Sequence, residues 1–126
     1  MKLGQCLISL PQFSIQLYLG GNPMKKYISE FIGTFVLVVF ACGTAAVSGA
    51  KVLNGMFMPA YFATAFAFGL SIVAMAYSIG NVSGCHVNPA VSLGVFLSGR
   101  MSGRDFIGYV IAQFLGAIIG AAVLFA

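Results

Sequence analysis

The stretch Ser83–Ser92, which reads SGCHVNPAVS, decides the fold of this chain because a helix is predicted to begin in its middle. Asn88 is a favoured N-cap residue, and Pro89 loses no hydrogen bond at the first position of a helix. The apolar segment that follows, Asn88–Leu97, ends before a Ser-Gly pair. Since about 20 helical residues are needed to cross a hydrocarbon core, this much shorter segment predicts a re-entrant half-helix.

Three longer apolar stretches surround the half-helix segment. Ile28–Gly49 contains one acidic residue, Glu30, whereas Met58–Ile79 and Phe106–Ala126 contain no charged residue. At ~1.5 Å rise per residue, each stretch is long enough to cross a bilayer. The sequence therefore predicts an all-α membrane protein with three transmembrane helices plus one re-entrant half-helix.

The composition agrees with a membrane protein. Hydrophobic residues make up 60% of the 126 residues and charged residues only 6%, and the mean hydropathy is +1.03. A soluble domain carries about 25% charged residues, so this chain lacks the polar surface that water requires. We expect the lipid bilayer to be its environment.

The basic residues predict the orientation of the chain. Its net charge is +4, but Lys and Arg flank the apolar stretches and form no basic stripe, so no nucleic-acid partner is expected. Lys25 and Lys26 precede the first span, while Arg100 and Arg104 lie between the second and third. By the positive-inside rule, we expect a multi-pass protein of the inner (plasma) membrane with a cytoplasmic N-terminus.

Cysteine and histidine are too few and too scattered to predict a disulfide or a metal site. Cys6, Cys42 and Cys85 are an odd number with wide spacing. His86 is the only histidine and has no acidic residue or second histidine nearby, so a wall-lining role is favoured over metal binding. We expect no metal, no cofactor and no enzymatic activity.

The four residues before the half-helix are expected to line a water-filled passage. Irregular backbone at membrane depth is tolerated only where protein or water satisfies its polar groups, so these carbonyl oxygens would accept hydrogen bonds along a pore wall. Asn88 can bond its side-chain oxygen to its own helix and present its NH₂ donors to the lumen. The carbonyl-bearing residues are Gly84, Cys85, His86 and Val87.

Four motifs, in this order, resemble the aquaporin or major intrinsic protein family, and specifically its bacterial water-selective branch. They are ExxGT in the first span, AFGLS in the second, SGCHVNPAVS, and GYVIAQ in the third. The resemblance runs from Met24 to Ala126. It implies the N-terminal half of a six-span fold, a homotetramer for the full-length protein, and water as the solute, with glycerol as the alternative.

The same resemblance implies roles for individual residues. Asn88, Pro89 and Ala90 would form the pore motif, and Phe68 would be the aromatic residue of the constriction. Glu30 would brace the Asn88 loop, although a position at the interface near the two lysines stays open for it. The constriction arginine and the second Asn-Pro-Ala of the family belong to a C-terminal half, which is the expected missing partner.

The first 23 residues do not follow the pattern of the rest. Pro11, Gln12 and Gln16 interrupt any apolar core, so neither a secretory signal nor a fourth span is convincing. The segment before Met24 can be encoded by a purine-rich stretch that resembles a ribosome-binding site. We interpret residues 1–23 as a non-native N-terminal extension and residues 24–126 as the N-terminal half of a channel.

The favoured function is therefore a passive water channel, present as a truncated N-terminal half. One alternative is a facilitator for glycerol or other small solutes. The other is a non-conducting membrane assembly fragment, for which the third span offers a stripe of small residues that permits close helix packing. This stripe consists of Gly108, Ala112, Gly116 and Gly120.

Overall fold

The structure, a computed structural model, describes residues 22–53 and 57–126. Over these residues the chain is helical, with short connections between helices. Helix α1 is Pro23–Leu37, which continues through a π-helical turn, Val38–Cys42, into α2, Gly43–Leu53. Helix α3 is Phe57–Ser83, α4 is Pro89–Leu97 and α5 is Gly103–Phe125.

The three predicted spans are confirmed as long apolar helices, with bounds that differ from the predicted ones. The segments long and apolar enough to cross a membrane are Pro23–Gly49, Met58–Ser83 and Gly103–Phe125. The first and third begin earlier than predicted because polar residues cap them. Asn22 accepts a hydrogen bond from the N–H of Met24, and Ser102 accepts one from the N–H of Asp105.

Helix α4 is the short helix that the Asn-Pro pair predicts. The side-chain oxygen of Asn88 accepts a hydrogen bond of 2.8 Å from the N–H of Ala90. The helix has 9 residues, so at ~1.5 Å per residue it is about 13 Å long, less than half of a hydrocarbon core. It ends at Leu97, and Gly99 follows with a φ of 74°, a left-handed conformation that glycine adopts without steric cost.

Helices α1 and α5 lie in close contact along the predicted small-residue stripe. A side chain at Gly116 would collide with the carbonyl oxygen of Phe31, and one at Gly120 would lie 3.1 Å from Cβ of Val38. The backbones therefore approach more closely than larger residues would allow. This close contact places the middle of α5 directly beside Glu30 of α1, and it confirms the packing role of the stripe.

The predicted N-terminal extension falls almost entirely on residues 1–21, which lie outside the described residues. Asn22 and Pro23, its last two residues, form the cap and first turn of α1. The interpretation of the preceding segment stays a prediction.

Candidate functional site

The centre of the candidate site is the carboxylate of Glu30, which lies in α1 and is 0% exposed. Its Oε1 accepts hydrogen bonds from the hydroxyl of Ser83 at 2.7 Å and from the N–H of His86 at 2.9 Å. Its Oε2 accepts hydrogen bonds from the N–H of Val87 at 2.7 Å and from Nε2 of Gln113 at 2.8 Å.

Four hydrogen bonds match the hydrogen-bonding capacity of a carboxylate, which has about four lone-pair sites and no donor when ionised. The donors come from the end of α3, from the loop that follows it and from α5. Glu30 therefore ties α1 to three other parts of the chain. If Glu30 were at the membrane interface near the two lysines, its carboxylate would be exposed. The carboxylate of Glu30 is instead fully buried against the loop.

These hydrogen bonds also determine which way the loop carbonyls point. In a planar trans peptide, the N–H of one residue and the carbonyl of the preceding residue point in opposite directions. The N–H groups of His86 and Val87 point to Glu30, and the N–H of Cys85 points to the hydroxyl oxygen of Ser83 at 3.2 Å. The preceding carbonyls, those of Gly84, Cys85 and His86, therefore point away from these acceptors.

The carbonyl of Val87 is not oriented in this way, because it shares its peptide group with Asn88. Val87 instead contributes through its conformation. Its φ is 41°, which is unusual for a β-branched residue. Two contacts hold it there: its N–H bonds Glu30, and its side chain packs so closely on Gly33 that an added Cβ would lie 2.6 Å from Cγ1 of Val87.

The loop has two further left-handed residues, Gly84 with a φ of 87° and Cys85 with a φ of 52°. Backbone in sparsely populated regions persists only where surrounding contacts hold it, and such strain concentrates at functional sites. The conformation that turns the carbonyls outward is therefore maintained by the hydrogen bonds of the buried network.

Three buried residues of this network were not assigned a role from the sequence: Ser83, Ser92 and Tyr109. The hydroxyl oxygen of Ser92 accepts a hydrogen bond from Nε2 of Gln113 at 3.1 Å and lies 3.0 Å from Nδ1 of His86. Both serines are 0% exposed. They are the first and last residues of the quoted stretch, and their closeness to Asn88 in sequence was the only available signal.

Gln113 forms hydrogen bonds between helices. Its NH₂ group bridges Glu30 of α1 and Ser92 of α4, so it links three helices. Its Oε1 is buried and finds no hydrogen-bond partner among the described residues. The orientation of the amide follows from its neighbours, since an oxygen in place of Nε2 would face the carboxylate.

The predicted pore residues lie at the surface of the described chain. Asn88 and Ala90 are exposed and Pro89 is half-buried. Because Oδ1 of Asn88 is bound to the N–H of Ala90, the NH₂ group of its amide points away from α4. Phe68 lies in α3, 15 residues before Ser83, which is about 22 Å along the helix axis. Phe68 therefore lies at a different depth along the axis of α3 from the start of the loop.

Burial changes the protonation of two loop side chains. The pKa of the Cys85 thiol is raised by burial and, to a lesser extent, by the negative charge of Glu30. The pKa of His86 is lowered by burial, and the carboxylate of Glu30 opposes this shift. Both groups are therefore biased toward their neutral forms. Within residues 22–53 and 57–126, no group of three or more His, Cys, Asp or Glu residues lies close enough to hold a metal ion.

Comparisons with known proteins match most of the chain to one family and its members. The profile of the family described as Major intrinsic protein matches residues 21–126. The Aquaporin Z of Rhodopseudomonas palustris is 46% identical over 101 residues, covering 80% of this chain and 41% of the relative. The Aquaporin Z of Bradyrhizobium diazoefficiens is 45% identical over 102 residues, covering 81% of this chain and 41% of the relative.

An archaeal relative is also similar. The Aquaporin AqpM of Methanothermobacter marburgensis is 40% identical over 114 residues, covering 79% of this chain and 46% of the relative. The chain thus spans less than half the length of these curated relatives.

Proposed function

The chain belongs to the major intrinsic protein family, as its four motifs predict, and we propose that it supplies one half of the pore of a passive water channel. In this half-pore, the amide of Asn88 donates hydrogen bonds to the oxygen of a passing water molecule. The carbonyls of Gly84, Cys85, His86 and Val87 accept hydrogen bonds from its hydrogens.

The orientation of the loop carbonyls is the observation that carries this proposal. Three consecutive N–H groups of the loop are bound on one side, by Glu30 and Ser83. The three corresponding carbonyls are left as acceptors for donors on the other side, and this ladder leads to the exposed amide of Asn88. Polar backbone aligned in this way at membrane depth requires water or protein beside it.

The start of α4 gives the proposed pore its selectivity against ions. The N-terminus of a helix carries a positive partial charge, and here it begins at Asn88 and Pro89. Cations and protons would be repelled at this point, whereas neutral water would be oriented. No covalent chemistry is required of any residue.

The constriction is proposed to lie beyond Asn88, at Phe68. An extended chain covers at most ~3.6 Å per residue, so the five steps from Ser83 to Asn88 reach about 18 Å at most. Phe68 lies about 22 Å from Ser83 along α3. The aromatic ring is therefore farther along the pore than Asn88, where it would narrow the path for solutes larger than water.

A second half is needed to close the pore. The relatives are more than twice as long as the matched region, so we propose that a C-terminal half provides the other wall. From the family resemblance we also propose a homotetramer for the full-length protein. The apolar segments Pro23–Gly49, Met58–Ser83 and Gly103–Phe125 make this a multi-pass membrane protein. We further propose the inner membrane as its location, with a cytoplasmic N-terminus, from the positions of the basic residues.

Stopped-flow shrinkage of proteoliposomes tests the proposal. The chain is reconstituted alone and together with the C-terminal half of the Aquaporin Z of Rhodopseudomonas palustris. We expect no added water permeability from the chain alone and a clear increase with both halves. Asn88→Ala should remove most of that increase, because it deletes the proposed pore donors. Asn81→Ala, at an exposed asparagine of α3, is the matched control and should conduct normally.

The alternatives appear as distinct results of the same assay. Glycerol uptake equal to water flow would identify a solute facilitator in place of a water channel. Assembly of the two halves without any increase in permeability would favour a non-conducting assembly fragment. Equal conduction by the Asn88 and Asn81 variants would refute the role of Asn88.

A further inference from the structure

Tyr109 contacts the loop at the point where it leaves α3. Its side chain is 0% exposed, and its hydroxyl donates a hydrogen bond of 2.6 Å to the carbonyl of Ser83. The last carbonyls of a helix have no partner within the helix, so an outside donor decides which way they point. Here that donor comes from α5, 26 residues along the chain.

The peptide group between Ser83 and Gly84 is bound at both of its ends, and the Tyr109 hydroxyl binds the carbonyl end. The Ser83 carbonyl shares a planar peptide with the N–H of Gly84, and that N–H donates to the carbonyl of Gly80 at 2.9 Å. With both polar atoms bound, the peptide plane cannot rotate. Gly84 follows immediately with its left-handed φ of 87°. The direction in which the carbonyl ladder begins is therefore defined by this plane.

The ring of Tyr109 is itself held in place by two aromatic neighbours. The ring of His86 lies edge-on at 5.1 Å between centroids, and the ring of Tyr27 lies edge-on at 6.1 Å. Edge-to-face pairs at these distances are favourable. The hydroxyl can thus be removed by Tyr109→Phe while the ring still fills the space between α1 and the loop.

We propose that Tyr109 is a positioning residue of the loop: its hydroxyl holds the Ser83–Gly84 peptide and thereby directs the first carbonyl of the ladder. Glu30 holds the later part of the loop through His86 and Val87, and Tyr109 holds its start. The importance of this for conduction rests on the proposed function, whereas the effect on loop position does not.

The thiol of Cys85 reports on loop position without any need for water flow. Cys6 and Cys42 are replaced by alanine, and the rate of maleimide modification of Cys85 is measured on the full chain in detergent. A typical hydrogen bond changes a local equilibrium by about two- to tenfold, so Tyr109→Phe should accelerate modification by that factor. Its matched control is Tyr77→Phe, at a tyrosine of α3 that is 86% exposed.

A positioning role also predicts that the fold survives the substitution. The detergent unfolding midpoint of Tyr109→Phe should fall only modestly below that of Tyr77→Phe, since a single hydrogen bond to a buried carbonyl is lost. Equal Cys85 rates in the two variants would overturn the proposal. Loss of the folded state in Tyr109→Phe would also overturn it, because the hydroxyl would then support the whole fold.

The thiol assay and the permeability assay test two separate claims, the positioning role of Tyr109 and the proposed function. If the chain conducts no water even with the C-terminal half present, while Tyr109→Phe still accelerates the Cys85 reaction, only the proposed function is refuted. In a conducting channel, Tyr109→Phe should lower water permeability by a few fold, and unchanged Cys85 reactivity there would overturn the positioning role alone.

Discussion

Replacing Glu30 by glutamine should destabilise the protein and release the loop, because an amide cannot accept all four of the hydrogen bonds that the carboxylate accepts. Its oxygen can take over one pair of donors, either Ser83 with His86 or Val87 with Gln113. Its NH₂ group then faces the other pair. The two buried donors of that pair lose their acceptor, and the two hydrogens of the NH₂ group point at the hydrogens of these donors.

The size of the effect follows from these two lost acceptors. Each unsatisfied buried donor costs about 1–3 kcal/mol, which gives roughly 2–6 kcal/mol for the pair. A neutral amide is easier to bury than a carboxylate, and this offsets part of the loss. We therefore expect a net decrease in the free energy of unfolding of about 2–4 kcal/mol.

The matched control is the same chemical change at the other acidic residue of the described chain. Asp105 lies in the first turn of α5 and accepts a hydrogen bond of 3.1 Å from the hydroxyl of Tyr27. Asparagine can still accept that bond, so Asp105→Asn should lose only the interaction with the helix dipole, about 0.3–1 kcal/mol.

Equilibrium unfolding by SDS in mixed micelles measures both variants. The reasoning is refuted if Glu30→Gln loses less than about 1 kcal/mol, or no more than Asp105→Asn. Cys85 modification provides a second measurement, because release of the His86 or Val87 N–H should let the loop open more often. Unchanged Cys85 reactivity in Glu30→Gln would show that the carboxylate does not hold the loop.

Three further predictions concern helix packing, the protonation of Cys85 and its position in the pore. Gly116→Ala should lower the free energy of unfolding by about 1–3 kcal/mol, because the new methyl group collides with the carbonyl of Phe31, and SDS unfolding measures this. Gly69→Ala, which meets no atom within 4 Å, should be neutral or stabilising by up to ~1 kcal/mol; equal losses would contradict close contact of α1 and α5. Because burial raises the pKa of Cys85, its thiolate stays the minor form near neutral pH. Its maleimide reaction should therefore accelerate about tenfold per unit between pH 7 and 8. In the two-half channel, thiol reagents should block water flow and Cys85→Ser should abolish the block, whereas a block that persists would place Cys85 away from the pore.

The membrane spans and the short helix could be predicted because their signals are local. Apolar length identifies a span, and Asn88-Pro89 identifies a helix start, without knowledge of any distant residue. The predicted first and third spans began five and three residues after the starts of α1 and α5. Their first turns contain lysine, arginine and aspartate, and the capping hydrogen bonds of Asn22 and Ser102 are formed by polar residues that an apolar count leaves out.

The network beneath the loop could not be predicted in the same way. The partners of Glu30 are 53 to 83 residues away in sequence, and no local pattern specifies which buried serine or glutamine will reach it. The sequence shows that an acid within a span must be satisfied, and the family resemblance points to the loop. The identities of Ser83 and Gln113 as partners emerge only from the packing of α3 and α5 on α1.

The distribution of these partners makes the site depend on the whole of the described bundle. An unpaired acid within a span costs up to about 2.5–3.5 kcal/mol on insertion scales, so the first span alone is penalised by Glu30. Ser83 and the loop supply three of the four donors, but the fourth comes from Gln113 of α5, as does the hydroxyl of Tyr109 that binds the Ser83 carbonyl. The carbonyls therefore reach their final direction only when α5 has packed along its glycine stripe. The proposed pore wall therefore depends on the close contact between α1 and α5, because a larger residue at Gly116 would displace Gln113 and Tyr109 together.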